Sequence, residues 1–218
     1  MFRILIVEDD RGTSEKLQAR LSRKIPEAQV DAAPTVKRAQ QFIQEAREEK
    51  EAYHAFVLDI KLPQDVGEYP VFDESLCRTI KAAMPKAIVA HISSYFHDKP
   101  VQEHMRRAHD EQIDRSFRLS KDDTRWFNTL EEKLKSFLYS LDVEAQLDQL
   151  FGSSEVPEFE SRGRHERAGY ERSVTHDLAN LSRDISARWK YLNRGLQERI
   201  GTIFEVTKDG DGVIVSLF

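Results

Sequence analysis

The sequence predicts an α/β fold: an open, doubly wound sheet of five parallel strands, followed by a C-terminal long helix and a β-hairpin. Three observations carry this reading. Short apolar runs alternate with longer segments of helical periodicity over about the first 140 residues, the pattern of parallel βαβ units. Beyond a stretch rich in Ser, Glu, Arg and Gly, from Gly152 to Gly169, a single apolar stripe recurs at steps of three and four. Two short β-type runs then flank Lys208-Asp209-Gly210-Asp211-Gly212, a turn-forming segment.

Taken in order, Phe2 to Val7 is the first strand, too continuously apolar to be half exposed. Arg11 to Lys24 repeats Leu17 and Leu21 at helical spacing and stops before Pro26. Ala28 to Ala32 is the second strand. Thr35 is the expected N-cap of the next helix, with Val36, Ala39, Phe42 and Ile43 on its inner side. His54 to Leu58 is the third strand, followed by an irregular stretch from Ile60 to Phe72 and a helix from about Asp73 to Met84. Ala87 to Ile92 is the fourth strand, Lys99 to His109 the fourth helix, and Ile113 to Leu119 a fifth, more polar strand. Asp122 to Leu138 is the fifth helix, and Leu141 to Phe151 suggests a further short one. Val174, Leu178, Leu181, Ile185, Trp189, Leu192, Leu196 and Ile200 then lie on one helix of about 30 residues, closed by Gly201. The organisation expected is therefore 1–140, a helix extension and linker at 141–169, and a helix-hairpin segment at 170–218.

Charged residues make up 33% of the chain and its formal net charge is −5. No window approaches the 18 or so apolar residues of a membrane span, which argues against a membrane segment or signal peptide. The basic run Arg162, Arg164, His165, Arg167 and Arg172 is interrupted by Glu166 and Glu171, which reads as a solvated linker and argues against nucleic acid. The lone Cys77 cannot form an internal disulfide, agrees with a cytoplasmic location, and reads as a small core residue.

In open α/β sheets ligands sit beyond the carboxyl ends of the strands. Strand one ends in Glu8, Asp9 and Asp10, strand three in Asp59, strand four in Ser93 and Ser94, strand five in Ser120 and Lys121. Carboxylates gathered at one rim repel unless a cation joins them, and all-oxygen ligands suit Mg²⁺. A hydroxyl and an ammonium facing that cation fit phosphoryl transfer to a carboxylate. His176-Asp177-Leu178-Ala179-Asn180 has a phosphoacceptor-like look, but no nucleotide-binding segment follows, so it reads as an exposed His on a docking helix.

The segments Leu5-Ile6-Val7-Glu8-Asp9-Asp10, Leu58-Asp59-Ile60-Lys61-Leu62-Pro63, Ile92-Ser93-Ser94 and Leu119-Ser120-Lys121 resemble the four signatures of response-regulator receiver domains of two-component signalling. The resemblance covers about residues 1–140 and implies a flavodoxin-like receiver fold. It also implies that Asp59 is the phosphoacceptor, that Glu8, Asp9, Asp59 and the carbonyl of Lys61 hold Mg²⁺, and that Ser93 and Lys121 contact the phosphoryl group. The donor would be a histidine kinase or phosphotransfer protein. Chemistry of its own would be limited to Mg²⁺-dependent self-phosphorylation and autodephosphorylation. Arg118 stands where the family often has a switching aromatic residue, and Asp122 where it often has Pro; Arg118 is expected to face the output surface and pair with an acidic group.

Two functions stay open: a response regulator that signals through the C-terminal segment by protein–protein contact, and a receiver-like interaction protein that is not phosphorylated. An Asp-x-Asp phosphatase is disfavoured because Lys61 occupies the second acidic position. The tail stripe is expected to form a homodimer seam over 171–200, with folding back onto the fifth helix as the alternative.

Overall fold

The computed structural model describes residues 1–72, 75–103, 116–151 and 177–217. The expected residues 104–109 of the fourth helix, 113–115 of the fifth strand, the linker at 152–169 and the tail-helix start at 171–176, His176 included, lie outside the described residues. Contacts divide the chain into two units, Met1–Leu134 and Lys135–Phe218.

In unit one, β1 (Phe2–Val7), β2 (Ala28–Ala33), β3 (Ala55–Asp59), β6 (Ile88–Ser93) and β7 (Ser116–Ser120) form one sheet, ordered β2-β1-β3-β6-β7. Every pairing in it is parallel. Renumbered along this sheet alone, the order is 2-1-3-4-5, the flavodoxin-like arrangement. Two further strands interrupt the sequence between β3 and β6: β4 (Lys61–Leu62) and β5 (Val71–Phe72) pair antiparallel to each other. The stretch expected to be irregular therefore contains a small hairpin. The strands of an all-parallel sheet are covered on both faces, and accordingly β3 and β6 are buried from end to end.

The helices follow from their caps and stripes. The side chain of Asp10 accepts a hydrogen bond from the backbone N–H of Thr13 (2.7 Å) and starts α1 (Arg11–Lys24), which buries Leu17 and Leu21. Thr35 caps α2 (Val36–Glu49) by accepting from the backbone of Arg38 (3.1 Å). Its buried stripe is Val36, Ala39, Ile43 and Ala46; Phe42 is only partly buried, with the Arg38 guanidinium 4.0 Å from its ring centre. The last residue of the turn that ends α2, Lys50, adopts a left-handed conformation at φ 59°. α3 (Ser75–Ala83) buries Leu76, Cys77 and Ile80, and the described part of α4 covers 99–103.

Two expected helices are one. α5 (Trp126–Phe151) runs 26 residues without a break, about 39 Å at 1.5 Å per residue. Trp126, Leu130 and Leu134 are buried in unit one, and Leu138, Tyr139, Val143 and Leu147 in unit two.

The C-terminal helix and hairpin are both present, but the helix is divided. The described part of α6 spans 177–188, a 3-10 turn covers Trp189–Tyr191, and α7 runs Arg194–Gly201. Leu192 and Asn193 are extended between them, and the Asn193 side chain accepts from the backbone of Leu196 (2.9 Å), capping α7. Steps of three and four continue across the break, so the periodicity alone concealed it. β8 (Phe204–Asp209) and β9 (Gly212–Leu217) form the hairpin, closed by Gly210 at φ 55°.

Unit two holds this tail by specific contacts. Arg188 pairs with Asp142, Arg199 with Asp148 (2.8 Å), Tyr191 packs edge-on against Tyr139, and the backbone of Asn193 donates to the Ser140 hydroxyl. Leu181, Ile185, Leu192, Leu196 and Ile200 are already buried within the single chain. These five side chains of the stripe expected to form a homodimer seam over 171–200 pack within unit two, where the C-terminal half of α5 supplies a facing surface. No helix among the described residues is long and apolar enough to cross a membrane.

Candidate functional site

Register brings the four predicted segments to one rim. Val7 is level with Leu58, Asp59 with Ile92, and Ser93 with Ser120. Residues that follow β1 and β7 therefore emerge beside those that end β3 and β6. The backbone of Glu8 donates to the Ala33 carbonyl (3.1 Å) and that of Lys121 to the Ser93 carbonyl (3.0 Å), extending the sheet's hydrogen bonding one residue into the site.

Lys121 Nζ lies 2.6 Å from Asp59 Oδ2 and 2.7 Å from Glu8 Oε2. Asp59 Oδ1 accepts from the backbone N–H groups of Ile60 (2.6 Å) and, more weakly, Lys61 (3.4 Å). Glu8 and Ser93 are fully buried, Asp59 nearly so, and Asp9 is half-buried. One oxygen from each of Glu8, Asp9 and Asp59 falls within 4.8 Å of the others. The predicted Glu8, Asp9, Asp59 and Lys121 are therefore brought together, and Ser93 ends the adjoining strand. The Ser93 hydroxyl accepts from the backbone of Tyr95 (3.0 Å), which leaves its own O–H to donate elsewhere.

The electrostatics are those of a site short of positive charge. Burial pushes the Glu8 carboxyl up to about 7, against the Lys121 hydrogen bond and with help from the charge of Asp59. Asp9 is raised too, by partial burial and then by Asp59. For Lys121, burial opposes the charge, but Asp59 and the hydrogen bonds to Asp59 and Glu8 outweigh it and hold the ammonium above its ordinary range. Three carboxylates share one cation, and an oxygen-only donor set with a surplus of negative charge fits a hard divalent ion such as Mg²⁺.

The surroundings were less legible. Lys61 turns its side chain away, pairing with Asp98 (2.7 Å) and standing 3.8 Å from the centre of the Tyr95 ring. The β4–β5 connection is anchored to the start of α2, whose Val36 and Lys37 N–H groups donate to the carbonyls of Pro63 and Gln64, with Lys37 also paired to Asp65. Those carbonyls satisfy donors that a helix N-terminus otherwise leaves without partners. Val66 and Tyr69 on this connection, Val71 on β5 and Tyr95 are four of the six exposed large apolar side chains among the described residues; Tyr69 is 90% exposed.

Arg118 is exposed on β7, level with His91 on β6. Among the described residues it makes no ion pair, so the acidic partner expected for it is not found there. His91, which sequence reading passed over, is buried in a central strand with Nε2 3.9 Å from Cys77 Sγ. The signal was a histidine inside the apolar run Ile88 to Ser93. Cys77 is buried, as expected.

No family model matches the sequence, and no curated protein does. Solved structures do match in fold. The N-terminal domain of an uncharacterised Wolinella succinogenes protein is similar with 22% identity and a TM-score of 0.50, over 66% of this chain and 99% of that one. The receiver domain of a DNA-binding response regulator from Colwellia psychrerythraea 34H has 22% identity and a TM-score of 0.47, over 63% and 98%. A phosphorylated cyanobacterial phytochrome response regulator, RcpA, has 16% and 0.48, over 63% and 94%. Many such neighbours are response-regulator receiver domains, and the sheet order and flanking helices of unit one are those of the flavodoxin-like fold.

Proposed function

We propose that the chain is a response regulator whose Asp59 accepts a phosphoryl group from a histidine kinase or phosphotransfer protein. One observation carries the reading: the Lys121 ammonium is held at once by Asp59 and Glu8 inside a cluster that still carries excess negative charge. Glu8, Asp9, Asp59 and the carbonyl of Lys61 would hold Mg²⁺, which when bound neutralises the incoming phosphoryl oxygens. Asp59 Oδ2 attacks phosphorus; the bond to the donor's imidazole nitrogen breaks, and that nitrogen keeps the electron pair. Lys121 then exchanges its contact with Oδ2 for one with a phosphoryl oxygen, and Ser93 donates its O–H to another. The charge gained is up to about two negative, enough to reorganise a neighbouring surface. The chemistry ends at self-phosphorylation and autodephosphorylation. The exposed Tyr95, whose ring centre lies 3.8 Å from Nζ of Lys61, two residues after Asp59, supports docking of a protein donor. Signalling passes through the C-terminal segment by protein–protein contact, in a cytoplasmic setting.

The second reading is a receiver-like interaction protein that is never phosphorylated. It draws on Arg118 in place of an aromatic residue and on a Lys121 bridge that already occupies Asp59 Oδ2. Incubation with acetyl phosphate and Mg²⁺ decides. One acid-labile phosphate, lost in Asp59→Asn, is the outcome expected of a response regulator; an unchanged mass with folded protein leaves the interaction protein.

A further inference from the structure

Away from the acidic rim, unit one has a groove of about 470 Å³ between α1 and the first turn of α5, lined by Lys16, Ala19, Arg20, Arg23 and Phe127. The four α1 residues stand at i, i+3, i+4 and i+7, so they share one face of the helix. The small Ala19 leaves room between its longer neighbours. Phe127 supplies an apolar wall whose position is fixed twice. Its ring stacks on that of the buried Trp126, 3.8 Å between centres, and the Arg20 guanidinium lies 5.2 Å from its centre. Arg20 in turn pairs with the buried Glu131 and donates to Asn128, so its charge is already answered. Lys16 and Arg23 differ: both are exposed, and neither makes a side-chain ion pair or hydrogen bond among the described residues. Arg23 suits the last turn of α1, where the helix dipole favours cations, but Lys16 in mid-helix has no such reason. In a chain of formal net charge −5, two uncompensated cations thus face one cavity beside a fixed aromatic ring.

We propose that this groove binds a small phosphate monoester carrying a planar ring, the chemistry of a nucleoside monophosphate. Three properties of the lining select it. Its volume falls within the range of about 300–1,000 Å³ typical of small-molecule sites and exceeds what a bare phosphate fills. A monoester carries up to about two negative charges near pH 7, which matches the two uncompensated cations, and its oxygens take charge-assisted hydrogen bonds from both. Lys16 and Arg23 start about 10.5 Å apart along the helix axis, a span that two long side chains close on one phosphoryl group. The ring then lies against the Ala19 methyl and Phe127. None of the residues at the acceptor takes part, and binding does not depend on phosphorylation of Asp59.

The test uses the full-length protein in EDTA, which keeps divalent ions from the acidic rim, titrated in a calorimeter with AMP, adenosine and inorganic phosphate. One AMP per chain is expected, with adenosine and phosphate each weaker by about tenfold or more, and with AMP affinity falling as salt is raised. Lys16→Gln and Arg23→Gln change exposed side chains and leave the core intact; each should weaken AMP about fivefold or more. Phe127→Leu should bring AMP down toward the affinity of phosphate. No AMP binding at millimolar concentration, adenosine or phosphate bound within about twofold of AMP, or unchanged affinity in both charge variants would each overturn the site. So would a poly-glutamate peptide that displaces AMP at lower concentration, which would assign the groove to an acidic protein.

Discussion

Lys121 and Asp59 are 62 residues apart in sequence and 2.6 Å apart in space. The pairing is buried, and Glu8 shares the same ammonium. Removing one partner of a buried ion pair costs about 3–5 kcal/mol, because the charge left behind stays uncompensated. Lys121 keeps some solvent access, so Lys121→Ala should cost somewhat less, about 2–4 kcal/mol at pH 7.5 in urea denaturation. Mg²⁺ affinity should be largely retained while phosphorylation from acetyl phosphate weakens. Stability within 0.5 kcal/mol of the unsubstituted protein would mean that the ammonium is not seated between the carboxylates.

Glu8 gives the site a pH signature. Its folded carboxyl titrates near 7, above the ordinary value of 4.5, so the folded state holds the proton more tightly than the unfolded chain. Stability contributed by protonated Glu8 is therefore present at low pH and lost as pH rises from about 4.5 to 7, by up to about 1.4 kcal/mol per pH unit. His54, held low by burial and then by nearby positive charge, works in the opposite sense over an overlapping range. The difference between unsubstituted protein and Glu8→Gln isolates the carboxyl. Without divalent ions the variant should gain relative stability from pH 5 to 7.5, and added Mg²⁺ should close the gap. Parallel pH profiles for the two proteins would refute the raised value.

In the proposed function, how long a phosphoryl group would stay on Asp59 depends on what covers it. Lys61 is fixed by Asp98 and lies against Tyr95, so these three side chains form a bridge between the two loops flanking the acceptor. Tyr95→Ala should admit water more freely and shorten the lifetime of the phosphorylated protein severalfold, with little effect on Mg²⁺ binding. Decay followed at pH 7.5 checks this, and an unchanged or longer lifetime would show that the bridge does not shield the site.

Arg118 is exposed and unpaired among the described residues, so its loss should leave phosphorylation by acetyl phosphate within about twofold and stability within about 0.5 kcal/mol. A severe loss of phosphorylation in folded Arg118→Ala would give the residue a role in the chemistry itself.

What was legible in the sequence was whatever depends on local pattern. Continuous apolar runs mark β1, β3 and β6, Thr35 marks the start of α2, and the acids and Lys121 sit at strand ends whose common rim follows from the parallel sheet alone. Less legible were features set by distant partners. The two-residue strands β4 and β5 are too short to carry a period. His91 and Cys77 meet only because α3 packs on β6. The merger of two expected helices into α5 left no stop signal to read, and the division at Leu192 and Asn193 preserved the stripe that implied continuity.

That division yields the last prediction. A stripe spent within the chain and a stripe that seals a dimer make opposite demands on single residues. Ile185 is fully buried, and the neighbouring Ser186 hydroxyl accepts from the Val215 backbone (3.0 Å), tying α6 to the hairpin. Truncating such a side chain costs about 2–5 kcal/mol through lost contacts and the cavity left behind. If the stripe is internal, Ile185→Ala lowers the stability of unit two by that amount at every protein concentration. Light scattering then reports the same monomer mass before and after substitution, and phosphorylation of Asp59 by acetyl phosphate is unaltered. If it seals a dimer, the loss of stability grows on dilution and the unsubstituted protein scatters at twice the chain mass. The contacts of Arg188, Asn193 and Arg199 with α5 make the monomer the expected outcome. A concentration-dependent melting temperature in the unsubstituted protein would reverse it.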